Sequence, residues 1–259
     1  MTFLLVLIFV AAFFWGLSWI MRARVQAAAV KLDERLRKVY APRHEYREVR
    51  PEEFPHLDLA WYDRMAEGLR ARGFRGKGDL EDLTVSAAFP ETRTFIRVMT
   101  AEDDTLSAGF YQARVTGPTL KMIQARGMDS LRVLDLQTEF EDGRFVSTTN
   151  AEMSASIQVP AEIIREVHPA ETSADELLQR HRVRLDRFRQ GNPGVEAVPM
   201  SGMAALIASA NRQNALRAAH REGQGGFVTR EEIRRIARAS DQQTAGEILA
   251  DEMEKLHKK

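Results

Sequence analysis

Two carboxylates at alternate positions are the residues best suited to acid–base chemistry. Asp79 and Glu81 follow Gly76, Lys77 and Gly78 at the start of a strand-like segment. Because alternate residues of a strand point to the same side, this spacing predicts that both carboxylates share one face, as a paired general acid and base would. The competing interpretation, which we favour, is a glycine turn followed by a solvent-facing strand edge.

His181 is the histidine best placed for chemistry. It is in register with Leu178, Leu185 and Phe188 on the apolar face of a predicted helix. A buried imidazole can act as a base or a ligand, but a hydrogen-bonded core histidine is the more common case. The six histidines lack metal-ligand spacing and the chain contains no cysteine. The sequence therefore predicts no cofactor and no metal site.

Five arginines crowd the helix that carries His181: Arg180, Arg182, Arg184, Arg187 and Arg189. Such a surface could contact anionic lipid, at about 1 kcal/mol per basic group. It could equally form ion pairs with the acidic middle of the chain, and we favour that alternative.

A second basic segment, residues 230–238, resembles a nucleic-acid-contacting helix in composition only. Glu231 and Glu232 would repel phosphates, and the segment lacks aromatic residues for base stacking. Nucleic acid is therefore not an expected partner.

The helices and strands predicted from the sequence pattern indicate an α+β fold. An apolar stripe predicts a helix from about Asp58 to Arg72, with Asp58 as N-cap and Gly73 just past its end. About five strands are predicted, at residues 79–88, 93–100, 106–115, 131–141 and 144–151. Hairpin signals at residues 102–104 and 141–143 indicate an antiparallel β-meander with one face covered by helices.

The C-terminal region, residues 176–259, is predicted to be helical. A capping box at residues 173–176 begins a helix that runs to about Gln190, and a second helix runs from about Ser201 to Glu222. Another capping box at residues 229–232 and a final helix from Asp241 complete this region.

The N-terminal segment predicts a membrane anchor. Residues Phe3 to Met21 are apolar without a charge and would span roughly 28 Å as a helix, close to the ~30 Å hydrocarbon core of a bilayer. The predicted domains are a transmembrane anchor (1–21), a juxtamembrane helix (22–40), an α+β domain (41–175) and the helical region (176–259).

The residues that flank this segment predict its orientation. Arg22 and Arg24 follow it directly, which places that side in the cytoplasm, and Trp15 and Trp19 suit the membrane interface. A cleavable signal peptide is the alternative, but it would need a basic start and a shorter apolar run.

Composition and motifs together favour binding over catalysis. The chain has 44% hydrophobic and 29% charged residues and a net charge of zero, as in an ordinary folded protein, and it completes no catalytic motif. We expect a single-pass protein, in a bacterial inner membrane, with its N-terminus outside. Its cytosolic α+β domain would be a non-catalytic protein-binding or scaffolding module whose partners are the bilayer and a protein. The alternatives are a membrane-tethered carboxylate-dependent enzyme, or a lipid- or ligand-sensing module that uses the concave face of the meander.

Overall fold

The computed structural model describes residues 25–114, 124, 129–225, 228–239 and 243–257. The predicted anchor, with Trp15, Trp19, Arg22 and Arg24, lies outside these ranges. Within them, no helix combines the length and the apolar character needed to cross a bilayer.

A seven-stranded sheet forms the centre of the molecule, with its strands in chain order from one edge to the other. Neighbouring strands from β1 to β6 are antiparallel, and β7 lies parallel to β6. The α+β prediction is confirmed, but the prediction of about five strands is wrong. The strands are β1 (Tyr46–Glu48), β2 (Arg75–Asp82), β3 (Ile96–Thr100), β4 (Ser107–Ala113), β5 (Leu131–Glu139), β6 (Phe145–Thr149) and β7 (Ile163–Val167).

The two additional strands lack the local signals that mark the other five. β1 has only three residues within a polar connection, and β7 reaches its parallel partner after residues 150–162 rather than through a tight turn. The predicted strand 79–88 is also displaced, because β2 begins at Arg75 and so includes Gly76 and Gly78, which are predicted from the sequence to form a turn. The strand ends at Asp82, whose side chain accepts a hydrogen bond from the Val85 N–H at 3.0 Å and so begins a short helix.

Seven helices occur within the described residues: α1 (25–39), α2 (Leu59–Arg70), α3 (Leu83–Ala88), α4 (Ala174–Gly191), α5 (Met203–Gly223), α6 (Arg230–Ala239) and α7 (Gln243–His257). Short 3-10 turns occupy Pro51–Glu53, Pro90–Thr92 and Glu152–Ser156. The predicted caps at Asp58, Ser173 and Thr229 accept hydrogen bonds from the first turns of α2, α4 and α6. Helix α5 begins at Met203, two residues later than predicted, with Gly202 as its N-cap residue.

Helices cover both faces of the sheet, and not one face as predicted. The α2/α4 face consists of the strand residues that point towards α2 and α4, including Asp79, Arg97, Phe110, Leu134, Leu136 and Thr148. The α5 face consists of the alternate residues, including Leu80, Val98, Tyr111, Asp135, Gln137 and Arg165.

The main core lies on the α2/α4 face. Trp61 and Tyr62 of α2 pack on Phe95, which precedes β3, and on Phe110 of β4, and the Tyr62 and Phe95 rings stack with centroids 4.3 Å apart. Buried aromatic side chains of this size contribute most of the apolar burial. This face is therefore closed by side chains.

Helices α1, α6 and α7 pack together in a separate, smaller cluster. Ala29 of α1 meets Ile233 of α6 and Met253 of α7. A fully buried ion pair between Arg221 of α5 and Glu232 of α6, at 2.6 Å, joins this cluster to the rest of the molecule.

Candidate functional site

Asp79, the first predicted catalytic carboxylate, lies on the α2/α4 face in an ion pair. Both of its oxygens accept from Arg97 on the neighbouring strand, at 2.8 and 3.1 Å. The same arginine also donates to Asp63 of α2 at 2.8 Å. Such a two-point contact to a guanidinium fixes the carboxylate and uses its acceptor sites.

Glu81 lies on the same face of β2, as the alternation predicts, but it has its own set of partners. It is fully buried and accepts from Arg93 at 2.7 and 2.9 Å, from Arg47 at 2.9 Å and from Ser86 at 2.8 Å. Burial alone would raise the pKa of this carboxyl. The hydrogen bonds outweigh burial and lower the pKa to about 2. Glu81 is thus a fixed anion rather than a proton carrier at neutral pH.

His181 is fully buried between α4 and the sheet. Its Nδ1 lies 3.0 Å from the hydroxyl of Thr148, and its Nε2 lies 3.3 Å from the hydroxyl of Thr138. Burial, with a smaller effect of the Arg184 charge, lowers its pKa to about 3. This environment matches the hydrogen-bonded core histidine considered as the alternative.

Of the five arginines of α4, one turns inward and four are exposed. Arg184 turns inward, donates to Thr148 and Ile164 and pairs with Glu166 at 3.0 Å. Arg180 pairs with Glu176 on its own helix, at 2.7 Å. The other three, Arg182, Arg187 and Arg189, are exposed.

The α5 face differs from the other face because it encloses a cavity of about 520 Å³ between the sheet and α5. This volume lies in the range of roughly 300–1,000 Å³ that is typical of small-ligand sites. Neither Asp79, Glu81 nor His181 lines it. This cavity is therefore formed by other residues.

One half of this cavity is apolar. It lies over β2 and β3, where Leu80 and Val98 meet Leu206 and Ile207 of α5. The polar groups in this half already have protein partners. The Tyr46 hydroxyl accepts from Asn214 at 3.2 Å, and Asp82 contacts the His44 ring nitrogen at 2.6 Å.

The other half is polar and positively charged. It lies over β4 to β7, where Tyr111, Asp135 and Arg165 face Arg217 of α5. Arg165 donates to the backbone oxygens of Ser154 and Ile157.

Mutual electrostatic effects show that these four residues form one cluster. Burial raises the pKa of Asp135, and the charges of Arg217 and Arg165 oppose that rise. Burial, assisted by Asp135, raises the pKa of Tyr111 to about 12. Burial and then the charge of Arg217 lower the pKa of Arg165. Charges that perturb one another in a cleft are typical of a functional site.

Two polar atoms that line the cavity lack a hydrogen-bond partner among the described residues. They are the buried Nε of Arg217 and the hydroxyl of Ser209, a residue only 1% exposed. An unsatisfied buried donor costs about 1–3 kcal/mol, so native proteins rarely retain one without a role. These two atoms are suited to hydrogen bonding with a bound molecule.

The sequence contains a signal for this site that the spacing of apolar residues does not reveal. Ser209, Gln213, Arg217 and Arg221 recur every four residues on α5, and all four line the cavity. Positions four apart lie on one side of a helix, so this spacing describes a polar stripe. The stripe is hard to recognise because an inward-facing stripe is normally apolar.

The described ranges contain no cluster of metal-ligating side chains. No group of three or more His, Asp or Glu side chains there could hold a metal ion. The cavity offers arginines, hydroxyls and amides instead, which are donors for an anion or a polar group.

Comparison with known proteins gives no relative. No protein-family model, no curated protein and no solved structure matches this chain.

Proposed function

We propose that this protein is a non-catalytic binding module that holds a small ligand in the cavity of the α5 face. The single observation that carries this proposal is the pair of unpartnered polar atoms, Arg217 Nε and Ser209 Oγ, in a cavity of ligand size. The ligand-sensing hypothesis drawn from the meander is thus the one that the geometry supports best.

The position of α1 supports a sensing role. Val39, at the end of α1, and Tyr40, which follows it, both line the cavity. The Tyr40 ring lies 5.0 Å from the guanidinium carbon of Arg221. A ligand in this cavity would therefore touch the end of α1, the helix that follows the predicted anchor, residues 3–21, along the chain. Membrane attachment through that anchor, with the domain in the cytoplasm, is part of this proposal.

A cavity-filling variant tests the proposal. Ala210→Phe would place a ring in the cavity, whereas Ala208→Phe makes the same change on the exposed side of α5. The full chain, reconstituted in phosphatidylcholine nanodiscs, would be screened by thermal unfolding with a mixed library of small anions, cations and neutral compounds. A ligand at 100 times its Kd stabilises by about 2.7 kcal/mol.

The expected result is a set of compounds that stabilise the wild type and Ala208→Phe but not Ala210→Phe. If no compound separates the two variants, the cavity is not a ligand site and the proposal fails.

A second candidate function is protein binding at the outer side of α4. Val183 is 50% exposed there, beside the exposed Arg182 and Arg187, and exposed apolar side chains ringed by arginine are common in interfaces. Crosslinking from position 183 in native membranes, followed by identification of the attached proteins, tests this candidate. Recovery of no specific protein would count against it.

A further inference from the structure

We propose that the ligand of this cavity is a single-chain amphiphile with one anionic head group. The head would bind at Arg217, and the chain would lie over Leu80, Val98 and Ile207. This inference rests on the proposed function and specifies its ligand class.

The polar half of the cavity has a surplus of positive charge. Arg165 and Arg217 both face it, and Asp135 is the only acidic residue among the lining residues of that half. Arg221 also lines the cavity, but Glu232 pairs with it at 2.6 Å. An anion would offset the mutual repulsion of these two guanidinium charges, which form no ion pair in the described structure, whereas a cation would increase it.

Hydrogen-bonding capacity points to the same end of the cavity. Arg217 Nε has no partner among the described residues, whereas Ser209 Oγ, which also lacks one, lies two helical turns or about 12 Å earlier on the same side of α5. A carboxylate or phosphate oxygen accepts from a guanidinium in a charge-assisted bond, the strongest class of hydrogen bond available here. A head group bound at Arg217 would thus supply the missing acceptor.

The apolar half explains why the ligand needs a chain. Leu80, Val98 and Leu206 are buried side chains that line this half, and Ile96 and Ile207 lie beside them. The polar groups Tyr46 and Asp82 already have protein partners. A head group placed here would gain no hydrogen bond, whereas a hydrocarbon chain would bury apolar surface at about 25 cal/mol per Å².

The shape of the site disfavours a small inorganic anion. Such an ion would satisfy Arg217 but would leave the apolar half without a contact, so most of the cavity surface would contribute nothing to binding. A neutral chain would bury the same apolar surface but would leave Arg217 Nε unpartnered. Both groups are therefore needed in one molecule.

The test is calorimetric titration of the full chain in phosphatidylcholine nanodiscs with a matched series of probes. Dodecanoate and dodecyl phosphate carry both groups, dodecanol and dodecyltrimethylammonium lack the anion, and butyrate and inorganic phosphate lack the chain. Empty nanodiscs correct for partition into lipid. We expect saturable binding of the first two probes, at least about tenfold tighter than any of the other four.

Variants locate the head group. Arg217→Met should weaken dodecanoate binding by about tenfold or more, the usual effect of losing one charge-assisted hydrogen bond. Arg217→Lys retains the charge and should retain part of the affinity. Arg70→Met, an exposed position on α2, is the matched control and should leave binding unchanged. Thermal unfolding without ligand shows whether each variant is folded.

The outcomes separate this inference from the proposed function. Tighter binding of dodecanol or dodecyltrimethylammonium than of dodecanoate would overturn the anionic head group. Equal binding of butyrate and dodecanoate would show that the hydrocarbon chain is not recognised. Equal weakening of dodecanoate binding by Arg217→Met and Arg70→Met would show that the head group does not bind at Arg217. In each case another ligand could still occupy the cavity, whereas the Ala210→Phe screen alone decides whether it is a ligand site.

Discussion

The two faces of the sheet bury charged and polar side chains in opposite ways. On the α2/α4 face, Asp79, Glu81 and His181 each have protein partners within about hydrogen-bond distance, and aromatic packing closes the surface around them. On the α5 face, Arg217 and Ser209 each have a buried polar atom without a partner among the described residues. Buried polar groups are thus satisfied by the fold on one side, while two of them are left available on the other.

In this molecule, structural and functional polar groups therefore differ in whether they have a hydrogen-bond partner, and not in residue type. Selection by residue type favoured Asp79, Glu81 and His181, because carboxylates and imidazoles perform most acid–base catalysis. The structure places those three in contacts that hold them still, whereas a ligand needs groups whose bonding capacity is open.

The largest expected effect is on stability, from the same substitution made on each face. Arg97→Met leaves the largely buried Asp79 without its cation and should lower the free energy of unfolding by about 3–5 kcal/mol. Arg217→Met removes a cation without an ion pair in the described structure and should change that energy by less than about 1 kcal/mol. Urea unfolding of both variants checks this contrast, and similar losses would remove the distinction between the faces.

The next effect is a pH dependence that belongs to the α2/α4 face. His181 has a folded-state pKa of about 3 against 6.5 for the unfolded chain, so only the unfolded state takes up its proton between these values. The neutral imidazole's contribution to stability is complete above pH 6.5. It falls by about 1.4 kcal/mol for each pH unit between pH 6.5 and about 3.

The measurement is urea unfolding across this pH range for the wild type and His181→Gln. The amide can still bond to both threonines but does not titrate. The difference between the two proteins should grow as the pH falls, and parallel curves would show that the imidazole is not held neutral.

A smaller effect concerns charge on the α5 face. Burial raises the pKa of Asp135, which faces Ser147 of β6, Arg165 of β7, Arg217 of α5 and Tyr111 of β4. Its ionised form would repel an anionic head group, so binding of dodecyl sulfate, whose head group stays ionised throughout this range, should weaken as the pH rises through that pKa. Asp135→Asn should remove this step and, above it, bind about tenfold tighter, as expected for about 1.4 kcal/mol. Titrations at several pH values check this, and a retained step in Asp135→Asn would exclude Asp135 as its source.

The smallest effect compares two hydroxyl groups. Thr148→Val removes the contacts of that hydroxyl with His181 and Arg184 and should lower the free energy of unfolding by about 1–2 kcal/mol. Ser209→Ala removes a hydroxyl without a partner and should change it by about 0.5 kcal/mol or less. Equal changes in urea unfolding would show that Ser209 is bonded in solution.

The parts of the fold that the sequence predicts are those specified by neighbouring residues. The hairpin at Gly143, which adopts a φ of 83°, and the α2 end at Gly73, with a φ of 85°, are both confirmed because glycine tolerates this backbone conformation. The N-cap of α4 at Ser173 and the capping box of α6 at Thr229 and Glu232 are confirmed for the same local reason, whereas the side chain of Glu176 bonds Arg180 and does not complete a box.

The parts that were missed depend on residues far apart in the chain. β1 exists because Tyr46 to Glu48 pair with β2, some thirty residues later, and no local pattern announces that pairing. The candidate site depends in the same way on α5 crossing the sheet, which brings Arg217 to Asp135. Sequence periodicity reports which residues share a side of one element, but not which element that side will face.

The central claim is that Arg217 is available for a ligand whereas Arg97 is not. The most direct measurement follows the side-chain Nε–H signals of both arginines by NMR in the isotope-labelled full chain, assigned with Arg217→Lys and Arg97→Lys, during titration with dodecanoate. The account predicts that the Arg217 signal shifts with saturation as it gains an acceptor, while the Arg97 signal, already bonded to Asp79 at 2.8 Å, stays in place. An unmoved Arg217 signal at saturating dodecanoate would contradict it.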